Sequence, residues 1–482
     1  MRAAWWCARV GLTATGLLVA VVTSAFAQGF YYKEIRRDDR IYVFNIAAEA
    51  ERFEKTGEMG RGIMRPGTGP NGETVVGDSE RALQLFYFKH GISEVVLEPP
   101  APIQRIEWRD GKTRITTDLA YLEISNRIQV RYTHVFPDEV SPALAGTAEQ
   151  GDSKGSFRIR RAKFKLEGWF WRPPDVAPAP AILPRLSYEL QLNWPDVTAA
   201  NAPGNMLEDA SIAWDPQGRG QFRVVFGQFK VPFGRQEMTS SGNQQFVDRS
   251  LVSNEYARGR DTGVVAQGAV WNNQIEYRGG VFNGAGRTRS ENDNDALQVN
   301  ARLMWQPNGN QVLGQRAWVS GALYSEVDFE STTVPIYAVA IEFEHNDFHR
   351  TTTGNDLKSD VIGLDGIFKY KGFSATGEYF FRHRTPETGD EFDSNGGYIQ
   401  AGMMLNQFRT WEAAFRYGQR EVSDLAASTD DTHKEIRGAF SYYYRRHTLK
   451  FQMDFGRIEI PRNPGETARK DHELRLQAQF IF

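Results

Sequence analysis

The chain has 482 residues, 12% of them aromatic, and carries 57 Lys and Arg against 60 Asp and Glu for a net charge of −3. That balance gives no electrostatic case for a nucleic-acid partner. Its single cysteine, Cys7, excludes a disulfide framework, a thiol nucleophile or a cysteine metal site in all that follows.

Residues 1–27 read as an export signal. Arg2 and Arg9 flank the opening, an apolar run extends from Val10 to Val22, and Ala25-Phe26-Ala27 supplies a small-x-small cleavage pattern. The expected mature start is Gln28. The alternative, a short membrane anchor, needs about 20 apolar residues and no such cleavage site. Without Arg2 and Arg9 the basic-to-acidic balance becomes 55 to 60, a net charge of −5.

Residues 28–97 read as a small periplasmic α+β domain. "FYYKEIRRDDRIYVFN" alternates about Asp38-Asp39 like a hairpin, and "IAAEAERFEKTGEMG" and "DSERALQLFYFKHG" read as short helices. The second takes Asp78 or Ser79 as its cap and Gly91 as its terminator. This region could contact peptidoglycan or a periplasmic partner, or be a simple appendage. Over 98–118, "EPPAP" marks a stiff linker and Asp110-Gly111 a further hairpin.

From 119 to 482 one pattern repeats. In "RLSYELQLNW" Leu186, Tyr188, Leu190, Leu192 and Trp194 alternate with Arg185, Ser187, Glu189, Gln191 and Asn193. The same period of two runs through "NRIQVRYTHVF", 157–171, 207–214, 221–229, 262–271, 274–283, 296–305, 316–328, 361–370, 373–384, 396–407, 410–420, 435–446, 448–459 and 472–482. Repeated segments of roughly ten residues, apolar on one face and polar on the other, predict an all-β, antiparallel transmembrane barrel. A large soluble sandwich is the alternative reading. Tight turns at "WNNQ", "KYKG", "NQFRT" and "RRHT" alternate with long polar connections, including 230–261 and 329–360. This rhythm gives 16 strands with both barrel ends on the periplasmic side. "VPIYAVAIEFEH" inside 329–360 leaves 18 as the alternative. Tyr442, Tyr444, Trp194, Trp214, Trp271, Trp305 and Trp411 fall near strand ends, where interfacial aromatic girdles belong, and the chain ends on Phe482.

"FRIRRAKFKLEGWF", "LEDASIAW", "FRVVFGQFKVPFGRQEMTSSGNQQFVDRSL" and "GRDTGVVAQGAV" together resemble the phosphate-selective porin O and P family over roughly 120–482. The resemblance implies a 16-stranded outer-membrane barrel, a homotrimer, and inward Arg and Lys that favour anions. It also implies that the connection 235–260 folds into the pore and narrows it; packing on the barrel rim or a trimer interface is the alternative. Pro232 and Gly234 end the strand before it, along which Phe222, Val224 and Phe226 are expected to face lipid. The apolar Met238, Phe246, Val247, Leu251 and Tyr256 argue that this connection is ordered.

Sorting charges by strand parity places roughly eighteen Lys and Arg inward against about a dozen Asp and Glu. Arg127, Arg131, Arg161, Lys163, Lys165, Arg185 and Arg223 dominate the early strands, with Glu167, Glu189 and Asp209 as their inward acids. With Lys230, Arg235, Arg249 and Arg260 they are the candidate pore-lining, anion-attracting residues. Arg161, Lys163 and Lys165 share one face and are expected to point into water without pairing. A mixed lumen whose charges neutralise one another is the alternative.

Chemistry-bearing motifs fail on context. "GDSKG" at 151–155 lacks the strand-to-helix elbow of a hydrolase nucleophile. His345 and His349 have ligand-like spacing, but fall in an expected outer loop without a third ligand, and "ENDND" at 291–295 reads as a solvated acidic tip. No enzyme activity, cofactor or metal is expected. The reading is a passive channel of the outer membrane of a Gram-negative-type bacterium, in contact with lipid and lipopolysaccharide and passing small anions such as phosphate. A structural or adhesive barrel and a non-selective general porin are the alternatives.

Overall fold

The structure, a computed structural model, describes residues 31–60, 62–92, 105–117, 120–138, 154–170, 185–194, 206–216, 221–287, 289, 291–307, 323–349, 356–421, 432–461 and 468–482. The signal-like segment, the 98–102 linker and Ser153 lie outside them. The chain divides into two compact units, with the second beginning at Gln104.

In the first unit, β1 (Lys33–Arg37), β2 (Arg40–Phe44), β3 (Ile63–Arg65) and β4 (Thr74–Gly77) form a sheet in the order β1-β2-β4-β3. Helices α1 (Ala47–Thr56) and α2 (Glu80–His90) accompany it. The β1–β2 hairpin turns through Asp38 and Asp39, both at positive φ, the backbone that two-residue hairpins of matching twist require. Ser79 caps α2, its Oγ accepting from Ala82 N at 3.1 Å, and Gly91 ends it at φ 62°. Asp78 accepts from Asn45 N and Ile46 N at 3.0 Å, which fixes the start of α1. Burial pushes the Asp78 carboxyl up despite those bonds. Burial also works against the Glu34 carboxylate, yet bonds from Tyr32, Lys89 and His90 outweigh it and hold it below the usual carboxylate range.

The second unit is a closed antiparallel barrel. Its sixteen strands are β7 (Ala120–Phe136), β8 (Lys154–Phe170), β9 (Arg185–Asn193), β10 (Leu207–Asp215), β11 (Arg223–Lys230), β12 (Arg260–Val270), β13 (Ile275–Phe282), β14 (Gln298–Trp305), β15 (Ile336–His349), β16 (Asp356–Tyr370), β17 (Phe373–Pro386), β18 (Phe392–Met404), β19 (Trp411–Glu421), β20 (Thr432–His447), β21 (Leu449–Ile460) and β22 (Arg469–Ile481). Closure comes from β22 pairing with β7, from His472↔Phe136 to Ile481↔Arg127. Where β22 ends, the hairpin of β5 (Arg105–Arg109) and β6 (Lys112–Thr116) takes over the edge of β7, Lys112↔Ser125 to Thr116↔Tyr121. Its turn is Asp110-Gly111, with both residues at positive φ.

The alternation of the sequence is expressed as burial. Ile341, Leu364, Phe381, Ile399, Phe415 and Phe451 are exposed on the outer face, while Glu342, Asp365, Arg382, Gln400, Arg416 and Gln452, their neighbours in sequence, are buried inside. Trp194, Trp214, Trp271, Trp305, Trp411 and Tyr444 are exposed near strand ends. Two expectations change. The ninth barrel strand is Ile336–His349, not 316–328, of which 316–322 lie outside the described residues; the count stays at sixteen, and among the described residues of 329–360 no extra strand pair appears. Residues 323–329 mimic a strand because their apolar and polar side chains are both buried, Leu323, Val327 and Phe329 along with Glu326 and Asp328. Phe222 precedes β11 and is buried instead of facing lipid.

Phe86 of α2 is fully buried among Ile41, Val43, Val75, Ala82 and Leu83. Phe86→Ala is expected to destabilise the first unit by about 3–5 kcal/mol. Hydrogen exchange followed by mass spectrometry should show residues 74–90 losing protection, while the heat-modifiable gel mobility of the barrel stays unchanged.

Candidate functional site

The segment that follows β11 builds the site. Its end points are already joined: Lys230 pairs with Arg260 across β11–β12, and Val231 N donates to Gly259 O at 2.9 Å. Everything between is an excursion into the barrel, with two short helices, α3 (Arg235–Met238) and α4 (Leu251–Tyr256). Gly234, at φ 76°, starts it where a Cβ would meet Ala257 at 2.8 Å. Val231, Phe233, Val252 and Tyr256 pack on Val265, Phe282, Val361, Phe380 and Tyr398 of the wall, and the Tyr256 and Phe380 rings stack at 5.5 Å.

Polar contacts fix the loop more specifically. Six inward carboxylates, one from each of six strands, accept from it. Gly234 N donates to Glu342 at 3.0 Å, Arg235 Nε to Asp365 at 2.5 Å and Gln236 N to Glu378 at 3.1 Å. Gln245 Nε2 donates to Glu412 at 2.6 Å, Val247 N to Asp454 at 3.0 Å and Leu251 N to Glu435 at 3.3 Å. From the other direction, Lys450 Nζ reaches Gln244 O at 2.9 Å and Arg416 Nη1 reaches Asp248 O at 3.0 Å. The loop therefore lies against β15–β22.

The opposite side keeps a cavity of about 460 Å³. Eleven of its lining residues are basic: Arg127, Arg160, Arg161, Lys163, Lys165, Arg223, Lys230, Arg249, Arg260, Arg278 and Arg287. Among the described lining residues, only Glu189, Glu208 and Asp209 are acidic. Eight of the eleven candidate residues thus meet at one cavity. Arg131 and Arg235 do not line it. Arg131 is buried against the loop, donating to Asp248 at 2.7 Å and to Val247 O at 2.9 Å, and Arg235 is buried at Asp365. Arg185 opens β9, and its side chain lies outside the described residues.

Two β-bulges concentrate charge. The β7–β8 register slips between Gln129↔Arg161 and Val130↔Ile159, so Arg160 and Arg161 both reach the cavity. The β9–β10 register slips at Leu207/Asp209, so Glu208 and Asp209 both do as well. A bulge sets two adjacent residues against one partner and re-aims a side chain. Strict parity therefore missed Arg160 and Glu208. Arg278 shares the inward parity of Glu276, to which it donates at 2.8 Å, and was legible. Arg287 lies in a connection, where parity says nothing.

Pairing also differs from expectation. Lys163 pairs with Glu208, and Lys165 pairs with Glu167 at 2.7 Å and Glu189 at 3.0 Å. The reason is register: carboxylates of β8, β9 and β10 come alongside the basic face. Arg260 takes Asp209 in a two-point bond of 2.8 and 2.9 Å. Arg161 donates to Gln129 at 2.9 Å with Asp248 at 3.7 Å. Among the described residues, Arg127 and Lys230 have no carboxylate partner. Arg127 donates to Ser240 Oγ at 3.1 Å, and Lys230 to the carbonyls of Glu237, Met238 and Thr239. His345 and His349 are on β15 and not in a loop, bonded to Asp360 and Asp356 at 2.8 Å.

Residues 143–482, well over half of the chain, match the family described as phosphate-selective porin O and P. The chain belongs to that family. With its closed barrel it is a porin of the outer membrane, and family and fold point to a channel rather than an enzyme. The match begins later than the resemblance at 120. No curated protein sequence matches the chain. Among solved structures, the outer membrane channel DcaP of Acinetobacter baumannii aligns with TM-score 0.51 at 10% identity, covering 75% of this chain and 97% of that one. An anion-selective porin from Comamonas acidovorans aligns with TM-score 0.49 at 9% identity, covering 75% and 100%. OmpT of Vibrio cholerae in its trimer form aligns with TM-score 0.48 at 11% identity, covering 76% and 100%. At such identity the first of these speaks to the barrel fold alone.

Because Lys230 and Arg260 are already neighbours, a tight turn can replace residues 232–258 without straining the wall. That excision is expected to leave a heat-modifiable barrel with a larger single-channel conductance in planar bilayers. Unchanged conductance would mean that the loop does not limit flow.

Proposed function

We propose that the protein is a passive diffusion channel that prefers small anions of the phosphate class, with the basic cavity as its selective passage. What carries this reading is the basic excess around the cavity. Eleven basic and three acidic residues surround the cavity, while six carboxylates of the far wall are engaged by the loop. Cations confined in a narrow lumen lower the barrier for anions, and screening over about 10 Å at 0.1 M salt does not erase such a field. Arginine forks add a planar match to phosphate oxygens. In this reading residues 1–27 are a cleaved export signal, residues 28–97 a periplasmic domain and 98–118 its linker and hairpin. The working assembly is a homotrimer bedded in lipid and lipopolysaccharide.

The test is the reversal potential of the purified protein in planar bilayers under a KCl gradient. Wild type should be anion-selective, and millimolar phosphate should reduce its chloride current. Replacing Arg161, Lys163 and Lys165 together by Gln leaves Glu208 and Glu189 without their lysine partners, so the anion preference should fall steeply. Replacing all three by Glu should reverse it. An assembled triple-Glu variant with the wild-type reversal potential would remove the basic face from the mechanism, and equal cation and anion permeability in wild type would favour a general porin.

A further inference from the structure

Residues 323–335 are the part nearest β15 of the connection from β14, at the end of the barrel that carries tight turns such as Trp271–Gln274 between β12 and β13 and Lys371–Gly372 between β16 and β17. A connection there has no need to enter the lumen. Yet Leu323, Glu326, Val327 and Asp328 are 0–2% exposed and Phe329 5%.

The segment reaches from one side of the wall to the other. Tyr324 OH donates to Glu276 of β13 at 2.9 Å. Lys369 Nζ of β16 donates to Val327 O at 2.9 Å, and Gly372 N to the Asp328 carboxylate at 2.8 Å. Phe329 packs edge-on against Tyr443 and His447 of β20, both at 4.9 Å, and its carbonyl accepts from Arg409 at 2.7 Å.

Midway along, the segment meets the constriction loop. Glu326 is the meeting point: one carboxylate oxygen accepts from Gln236 Nε2 at 2.9 Å, the other from Gln245 N at 2.7 Å, and its own N–H donates to Asn243 O at 3.2 Å. Arg235 adds a bond to Leu323 O at 2.9 Å. Two segments entering from opposite ends thus share one buried polar junction.

We propose that residues 323–335 form a strap that closes the loop-filled half of the lumen from the tight-turn end and confines flow to the basic cavity, with Glu326 as the residue positioning the constriction loop. The proposal rests on the channel reading for its effect on flow. Its structural content does not. Deletion of the Glu326 carboxylate leaves the Gln245 N–H unmatched inside the barrel and Gln236 Nε2 with Gln400 as its acceptor, a cost that the loop relieves by moving away.

The test uses Ser374 of β17, 1% exposed and bonded to Gln245 Nε2 at 3.1 Å, as a reporter beneath the junction. In a chain with Cys7→Ser and Ser374→Cys, the rate of reaction with a small water-soluble thiol reagent is measured with and without Glu326→Ala. The rate should rise by about tenfold or more, as expected when charged hydrogen bonds are lost. In bilayers Glu326→Ala should raise single-channel conductance and move the reversal potential towards zero, whereas Glu326→Gln, which keeps one acceptor, should fall between. Phe329→Ala loosens the strap at its far end and serves if Glu326→Ala does not yield a heat-modifiable barrel. Equal thiol rates in assembled variants would overturn the strap. A faster thiol reaction in a protein that conducts no ions at all would retain the strap and overturn the channel reading.

Discussion

A loop inserted into a barrel lumen has no partner strand, so its backbone donors must be met by the wall. Here that role falls to inward carboxylates. Gly234, Gln236, Val247 and Leu251 each give a backbone N–H to a different strand, at Glu342, Glu378, Asp454 and Glu435. Leaving one such buried donor unmet costs about 1–3 kcal/mol, and a charged acceptor makes a stronger bond than a neutral one. The aromatic cluster around Phe380 adds burial, but burial alone would not select one position along a smooth wall. The carboxylates give the loop its register.

Overall charge and cavity charge differ. The chain is net acidic, which on its own argues against an anion pathway. Glu342, Asp365, Glu378, Glu412, Glu435 and Asp454 are all buried, however, and all engaged by the loop. On the loop's side of the lumen they are met by Arg235, Arg302, Arg416, Arg437 and Arg475, so their charge is balanced locally. The basic side chains of β7, β8, β11, β12 and β13 remain around the cavity on the other. Net charge describes solubility and long-range behaviour; it says little about a lumen divided by an internal partition.

Much of the barrel was legible because period-two alternation survives in every strand from β16 to β22, and Asp38-Asp39, Ser79, Gly91 and Asp110-Gly111 act through local backbone chemistry. The site was legible where parity holds, as at Arg127, Lys163 and Arg223. It failed at Arg160 and Glu208 because a bulge depends on pairing with a distant strand, which no local pattern records. The segment 323–329 failed for a related reason. Parity distinguishes lipid from lumen, and a segment buried wholly inside the lumen meets neither condition. Glu326, its most connected residue, therefore read as part of a strand face. Nor could parity show that Arg131 holds the loop while Arg127 faces the cavity, since both are inward arginines of β7.

The carboxylates among the cavity cations bear on the proposed passage. A face of unpaired Lys and Arg would be costly to assemble in a narrow lumen and would hold an anion tightly once bound. Full pairing would leave nothing to attract one. The structure lies between these limits: Arg260 is held in a two-point bond by Asp209 and Lys163 pairs with Glu208, while Arg127 and Lys230 bind only neutral oxygens. On the proposed reading, an entering anion meets Arg127, which has no carboxylate partner among the described residues, flanked by cations that it must share with fixed carboxylates. Conduction needs that graded affinity, strong enough for entry and weak enough for exit. On the proposed reading the two bulges act in opposite directions: the one at Arg160 raises the local attraction, and the one at Glu208, which brings a second carboxylate beside Asp209, keeps it from becoming a trap.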